Sequence, residues 1–399
     1  MKSIYNSFIN LKTYCEAEDY KGWDPYDGLN SKVFQATPLK HWDLARLAWI
    51  QGFKRSPINF RKLLLVPKQH NAKGIGLFLN GYCNLYQLAQ KGEFHFGSKE
   101  DILNKTIDLA DLLLKMQHKA YSGACWGYNF DWQARRLFLF PAHTPTVVAT
   151  SFCVQALLKA YEITKNQEYL QTALSAADFI TNDLNRTDFN SGFLFSYSPL
   201  KGNNTVINAS LLGAKTLSLI YSYSKDLEQL ELARTTIKAC CEAQAKDGSW
   251  VYGMLSVQNW IDSFHTGYNL DAIQAYQNVS GNMEFKDHLE KGFQYYIQNF
   301  FLADGTPKYY HNQTYPIDIH CPGQLFVNLS VQDKFLENRE LADSVMQWTI
   351  NNMQEKKGYF YYQLKKGISS KISYMRWSNA FMFNAMSYYL LESNKVNEI

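Results

Sequence analysis

No stretch of eighteen apolar residues occurs in the 399-residue chain, so no ordinary membrane-spanning helix is expected. No run of Lys and Arg is long enough to track a phosphate backbone, and the net charge is a mild +4; nucleic acid is not an expected partner. Residues Met1 to Tyr14 are mixed polar and lack the apolar stretch of a signal peptide. Cysteine is sparse: seven residues, odd in number and scattered, make no disulfide framework. Free thiols and a cytoplasmic location are therefore expected, and sequons such as Asn208-Ala-Ser carry no weight. P-loop, Rossmann-glycine and GxSxG patterns are missing, so no cofactor is expected. No Pro/Gly/Ser-rich linker divides the chain. It reads as one domain over 1–399, with 1–36 as an extension at the rim of a pocket.

Helical segments recur with a rhythm. Twelve are predicted, at 38–54, 74–91, 99–118, 145–163, 167–184, 206–224, 227–246, 264–280, 284–300, 320–333, 339–354 and 378–393. Thr37-Pro38 and Thr144-Pro145 give start signals, and Ser98 with Asp101 forms a capping-box pattern. Short turns alternate with long connections of about fifteen to twenty-five residues, a length that usually carries function. The long connections open alike: Gly123…Trp126-Gly-Tyr128, Gly192…Phe195-Ser-Tyr197, Gly248-Ser-Trp250-Val-Tyr252, Gly305…Tyr309-Tyr310 and Gly358-Tyr-Phe360-Tyr-Tyr362. Five degenerate copies make an internal repeat. The helices after these connections are apolar on nearly all sides, and the others are amphipathic. That split suits two concentric layers, an all-α (α/α)6 toroid of six helical hairpins. An open solenoid would leave the apolar set exposed.

Aromatics make up 15% of the chain, more than a core needs, and platforms for ring-shaped ligands are one use of them. The Gln244-Ala-Lys-Asp-Gly248-Ser-Trp250 stretch resembles the repeat motif of squalene and terpenoid cyclases. The acid motifs of those enzymes, DxDD and DCTAE, do not occur. The arrangement as a whole resembles six-hairpin glycosidases, polysaccharide lyases and sugar epimerases. The runs Trp23–Ser31, Ser56–Arg61 and Asn71–Leu79 are similar to a prokaryotic toroid family associated with polysaccharide gene clusters. The resemblance implies a carbohydrate-active enzyme on an acidic or lipid-linked glycan, by hydrolysis, β-elimination or C5-epimerisation. The alternative is a glycan- or protein-binding toroid of a polysaccharide assembly system.

The residues that begin each inner helix should meet at one end of such a ring. Thr144 and Thr205 are what capping alone would place there. Capping does not explain His143, the Asp262…His265 and Asp318…His320 pairs, or Arg376-Trp377. A carboxylate beside an imidazole orients it for proton transfer near neutrality. Asp262, His265, Asp318 and His320 are thus the candidate acid–base residues, with both imidazoles facing one central pocket. Trp126, His143, Tyr268, Arg376 and Trp377 are candidate substrate contacts, Arg376 as the neutraliser of a substrate carboxylate. Asp24 and Asp27 are either a structural turn or a reach over the ring to a sugar. His265, His320, Cys125 and Cys321 could supply zinc ligands. The Cys-His-Gly signature of lanthionine cyclases is missing, though, and no metal is expected.

Overall fold

The computed structural model describes residues 4–133 and 139–397. Six helices form the inner ring: α4 (Ala72–Gln90), α6 (Val147–Thr164), α8 (Ile207–Ser224), α10 (Ser263–Ser280), α12 (His320–Val331) and α14 (Phe381–Asn397). Each touches the next, and α14 returns to α4, so the ring is closed. Outside them lie α5 (Lys99–Met116), α7 (Gln167–Asp178), α9 (Leu227–Glu242), α11 (Lys286–Phe300) and α13 (Arg339–Met353). The architecture is the (α/α)6 toroid expected from the sequence.

The twelfth helix is not the one expected. Residues 38–54 form a 3-10 turn (Pro38–His41) and α3 (Asp43–Arg55), which pack on neighbouring loop segments rather than on the ring. The outer partner of α14 is α1 (Ile4–Ala17), which also contacts α13. It buries Phe8, Leu11 and Cys15, at the three-to-four spacing of one helix face. Phe8 packs edge-on to Phe96 and against Phe383, both at 5.0 Å. The short helix α2 (Lys32–Gln35) and α3 belong to a segment laid over one end of the ring.

Amphipathicity sorts the layers as predicted. Helix α5 buries Ile102, Thr106, Leu109 and Leu113 behind its Ser98–Asp101 capping box. Helix α4 is buried along almost its whole length. The inner helices are nonetheless not apolar all round. Their axial faces carry a polar thread, with Lys215 on Asp271 (2.6 Å) and Gln155 (2.8 Å), and Lys159 on Asn84 (3.1 Å) and Tyr388 (3.0 Å). These groups are tolerated in the interior because they satisfy one another.

The repeat has a steric origin. A Cβ on Gly123, Gly192, Gly248, Gly305 or Gly358 would strike the backbone carbonyl of Ser175, Thr235, Lys291, Ser344 or Asn10 in turn. Those carbonyls belong to α7, α9, α11, α13 and α1, so each connection docks on the outer helix of the next hairpin. Two of the repeat glutamines reinforce the docking. Gln244 donates to Gly248 O and His288 O (both 2.9 Å), and Gln354 to Gly358 O (3.0 Å) and Ser7 O (2.9 Å). Short antiparallel strand pairs brace the connections: β1 (Trp132–Gln133) with β2 (Leu139–Phe140), and β3 (Arg186–Phe189) with β4 (Gly192–Phe195). A further sheet has β6 (Tyr361–Leu364) between β5 (Ile317–Asp318) and β7 (Ser370–Ser373).

Two substitutions test whether α1 closes the ring. Phe8→Ala should lower stability by about 3–5 kcal/mol, as for other buried phenylalanines. Gly358 has φ +103°, and a Cβ there would lie 2.2 Å from Asn10 O; Gly358→Ala should cost at least about 1–3 kcal/mol. Denaturant unfolding reads both, and unchanged midpoints would mean that α1 is dispensable to the ring.

Candidate active site

After docking on its glycine, each connection sends a ring into the core and then a tyrosine toward the axis. Trp126 and Trp250 are the buried rings, with indole N–H groups donating to Leu113 O and Cys240 O of the preceding outer helix (2.9 Å each). Trp126 is fully buried there, so it does not line the pocket as the sequence reading had it. Tyr128, Tyr197, Tyr252, Tyr309 and Tyr362 follow their glycines by four or five residues. Tyr128 and Tyr197 share a hydroxyl contact of 3.2 Å, Tyr252 stacks on Trp260 at 4.5 Å, and Tyr309 and Tyr362 edge onto Phe264 and Trp377. Tyr26, from the overlying segment, lies 5.5 Å from Trp377, and its hydroxyl accepts a 2.6 Å bond from Lys54 Nζ. Tyr362 is fully buried, so the cleft is walled by the partly exposed Tyr128, Tyr197, Tyr252 and Tyr309 with Trp260 and Trp377.

Asp262 caps α10, its Oδ1 accepting from the His265 backbone N–H at 3.0 Å. Its Oδ2 meets His265 Nδ1 at 2.7 Å and also accepts from the Trp260 indole at 2.9 Å. The cap thus serves twice, satisfying the helix start and orienting an imidazole. The His265 side chain is 19% exposed and faces Tyr252 at 4.6 Å.

The second expected pair is built otherwise. Asp318 lies on β5, and its Oδ1 accepts from the His320 backbone N–H (3.0 Å) and the Trp377 indole (2.9 Å). Gln363, on β6, donates to its Oδ2 at 3.3 Å. The His320 ring stays 4.0 Å from the carboxylate, and its two nitrogens are buried without partners. It is wedged between Trp377 (4.2 Å) and Phe381 (3.6 Å), with Phe264 at 4.9 Å. So Asp318…His320 is not an acid–base couple, and His320 does not open onto the cleft. Phe264 lies between the two imidazoles, 4.1 Å from His265. Burial pushes the Asp318 carboxyl up to about 6. Burial, with the Lys73 and Arg376 charges, holds His320 well below the usual imidazole range.

Asp24, Asp27 and Arg376 are joined in the interior. Arg376 grips Asp24 with two bonds of 2.6 and 2.8 Å. Arg61 reaches Asp27 (2.6 Å), Asp24 O (2.7 Å) and Tyr374 OH (3.0 Å). These carboxylates do reach over the ring, but to fasten the overlying segment, and Arg376 is already neutralised. His143 is exposed on the loop before α6, where its backbone pairs with Tyr128. Tyr268 is buried beside the cleft, 5.9 Å from His265. Among the described residues no three His, Cys, Asp or Glu side chains are placed to hold a metal ion.

Lys73, near the start of α4, is a member of the site that the sequence alone does not single out. It is buried among Phe152 (4.3 Å), Phe381 (4.9 Å) and Tyr268 (5.3 Å), with Tyr268 OH 3.5 Å from its Nζ. Burial and Arg376 push its amine well below the ordinary lysine range. A buried cation that meets rings instead of a carboxylate leaves no trace in a sequence pattern. The tyrosines did leave one, a fixed offset from each repeat glycine.

No protein-family model and no curated sequence matches the chain. Solved structures do resemble it. A sugar epimerase from a ruminal bacterium superposes with a TM-score of 0.60 at 12% identity, over 82% of this chain and 90% of that one. A GH76 α-mannanase from Bacteroides thetaiotaomicron gives 0.61 at 14%, over 81% and 88%. An unsaturated glucuronyl hydrolase specific for heparin gives 0.60 at 12%, over 100% and 97%. At such identities the likeness is one of fold.

Three substitutions check this geometry. His265→Ala, at a half-open site, should change stability by about 1 kcal/mol or less. His320→Ala leaves a hole among three rings and should cost about 2–4 kcal/mol. Asp318 binds its proton more tightly folded than unfolded, so its contribution is full below about pH 4 and fades as pH rises through about 6. Asp318→Asn should therefore gain stability relative to the parent between those pH values, as followed by urea unfolding; a constant difference would refute the raised pKa.

Proposed function

We propose that the chain is a carbohydrate-active enzyme that moves a proton at a carbon next to a sugar carbonyl, as an epimerase or isomerase does. The observation that carries this reading is the Asp262–His265 couple in a cleft of aromatic rings. With Nδ1–H held by Asp262, the lone pair sits on Nε2, where a general base needs it. Tyr252, Trp260 and Trp377 supply faces on which a sugar ring stacks. The charge that develops on the carbonyl oxygen calls for a donor, and the Tyr268 hydroxyl beside Lys73 suits that role.

Hydrolysis needs one carboxylic acid and one carboxylate free to act across the bond. Here Asp262 and Asp318 are each held by several hydrogen bonds, and Asp24 and Asp27 by arginines. Elimination or C5-epimerisation of a uronate needs a cation for the substrate carboxylate, and Arg376 is taken by Asp24. Proton transfer on a neutral sugar makes the least demand on these occupied groups. That a sugar epimerase shares the fold is in keeping with this choice.

The test is proton exchange. Incubated with glucose, mannose or cellobiose in D2O, the protein should wash deuterium into C2 of a substrate, seen as loss of that proton's NMR signal. His265→Ala should slow exchange on the order of a hundredfold or more, the usual contribution of a general base. Release of reducing ends without exchange would point to hydrolysis instead. Saturable oligosaccharide binding with neither reaction would favour the glycan-binding toroid.

A further inference from the structure

The segment laid over the ring has an unusual surface. Eight of the seventeen exposed large apolar side chains among the described residues fall between positions 33 and 65, less than a tenth of the chain. The same region has eight Lys or Arg and the single acid Asp43 between residues 32 and 68; Arg61, Arg46 and Lys68 are paired with Asp27, Asp43 and Glu18, which leaves Lys32, Lys40, Lys54, Arg55 and Lys62 without an acidic partner among the described residues. The exposed positions of α3 run Leu44, Ala48, Gly52, Arg55, and the half-exposed Asp43 in its first turn is paired with Arg46. Helix faces turned to water normally carry charge.

Two chain tips stand beside this face. The turn after α3 exposes Ile58 (61%), and the tip between β6 and β7 exposes Ile368 (74%). The two are tied together, since Lys365 Nζ donates to Arg55 O at 3.4 Å. Leu63 is 74% exposed nearby in sequence, and Leu65 lies next to Lys32 through a backbone bond. Exposed Arg55, Lys62 and Lys366 alternate with these apolar tips. No acidic residue occurs from 44 to 68 or from 356 to 372.

We infer that this face docks on an anionic lipid bilayer surface. Apolar side chains at separate tips can each enter the headgroup layer, while the lysines and arginines between them meet lipid phosphates. Docking to a protein would ask for a continuous, closely packed apolar patch with a charge-poor centre. Exposed Lys32, Arg55, Lys62 and Lys366 stand among apolar groups that are spaced apart, so charge complementarity selects the membrane. Lys54, in the last turn of α3, touches Tyr26 at the cleft, and Gln363 of β6 touches Asp318. A docked molecule therefore holds its cleft near the lipid headgroups. The inference stands whether or not the chain acts on sugars.

Vesicle sedimentation of the full chain tests it. Vesicles of equal parts phosphatidylcholine and phosphatidylglycerol should carry the protein down, and vesicles of phosphatidylcholine alone should not. Added salt should release it. Ile58→Asp with Ile368→Asp, and separately Lys365→Glu with Lys366→Glu, should each weaken binding on the order of tenfold. All four positions lie away from His265, so sugar-proton exchange and circular dichroism should be unchanged and report intact protein. Failure to sediment with anionic vesicles, or binding that survives both pairs of changes, overturns the inference. So does a dimer in light scattering that either pair converts to monomer, since the occupant would then be a second copy.

Discussion

The closest constraint in the molecule is the absence of a Cβ where each connection crosses the next outer helix. Glycine lets the two backbones touch, which fixes the height at which the chain turns inward. Four or five residues later a tyrosine has reached the axis. The cleft is thus a by-product of how hairpins pack: five connections make the same approach and deliver five similar side chains. Chemical difference enters only where the repeat is decorated, at Asp262 and His265 and in the rings around them.

A second constraint is electrostatic. Arg61 and Arg376 are buried with Asp27 and Asp24; Arg376–Asp24 joins the overlying segment to the end of the ring, and Arg61 ties Asp27 within that segment to Tyr374 outside it. Removal of one partner would leave an uncompensated charge in the interior, a costly state. The segment is accordingly fastened to the ring by buried charge as well as by packing. Arg376 precedes Trp377, so the clasp also fixes the indole that donates to Asp318. Fold and site share these atoms.

Much of this was legible in the sequence. Amphipathic period, caps such as Ser98–Asp101, and glycine-aromatic connections were enough to read the toroid and its layers. Helix α1 was not legible, because its buried face includes Ser7, which bonds to Gln354 at 2.7 Å and interrupts the apolar stripe. Segment 38–54 has helical period but faces loops, and period alone does not say what a helix packs on. At the site, Asp262…His265 and Asp318…His320 look alike as strings. They differ because a cap three residues back can reach the imidazole, whereas the Asp318 oxygens are taken by Trp377 and Gln363 on other elements. Trp126 misled because a repeat aromatic serves the core while the tyrosine two residues later serves the cleft.

The last hairpin pairs α14 with α1, segments from opposite ends of the described chain, and Ser7 clasps α1 to Gln354, just after α13, across 347 positions. During synthesis α1 leaves the ribosome well before α13 and α14, the helices it packs on. Phe8, Leu11 and Cys15 then wait in water, or against a substitute surface, while five hairpins assemble. The same packing that seals the finished toroid makes its nascent form adhesive.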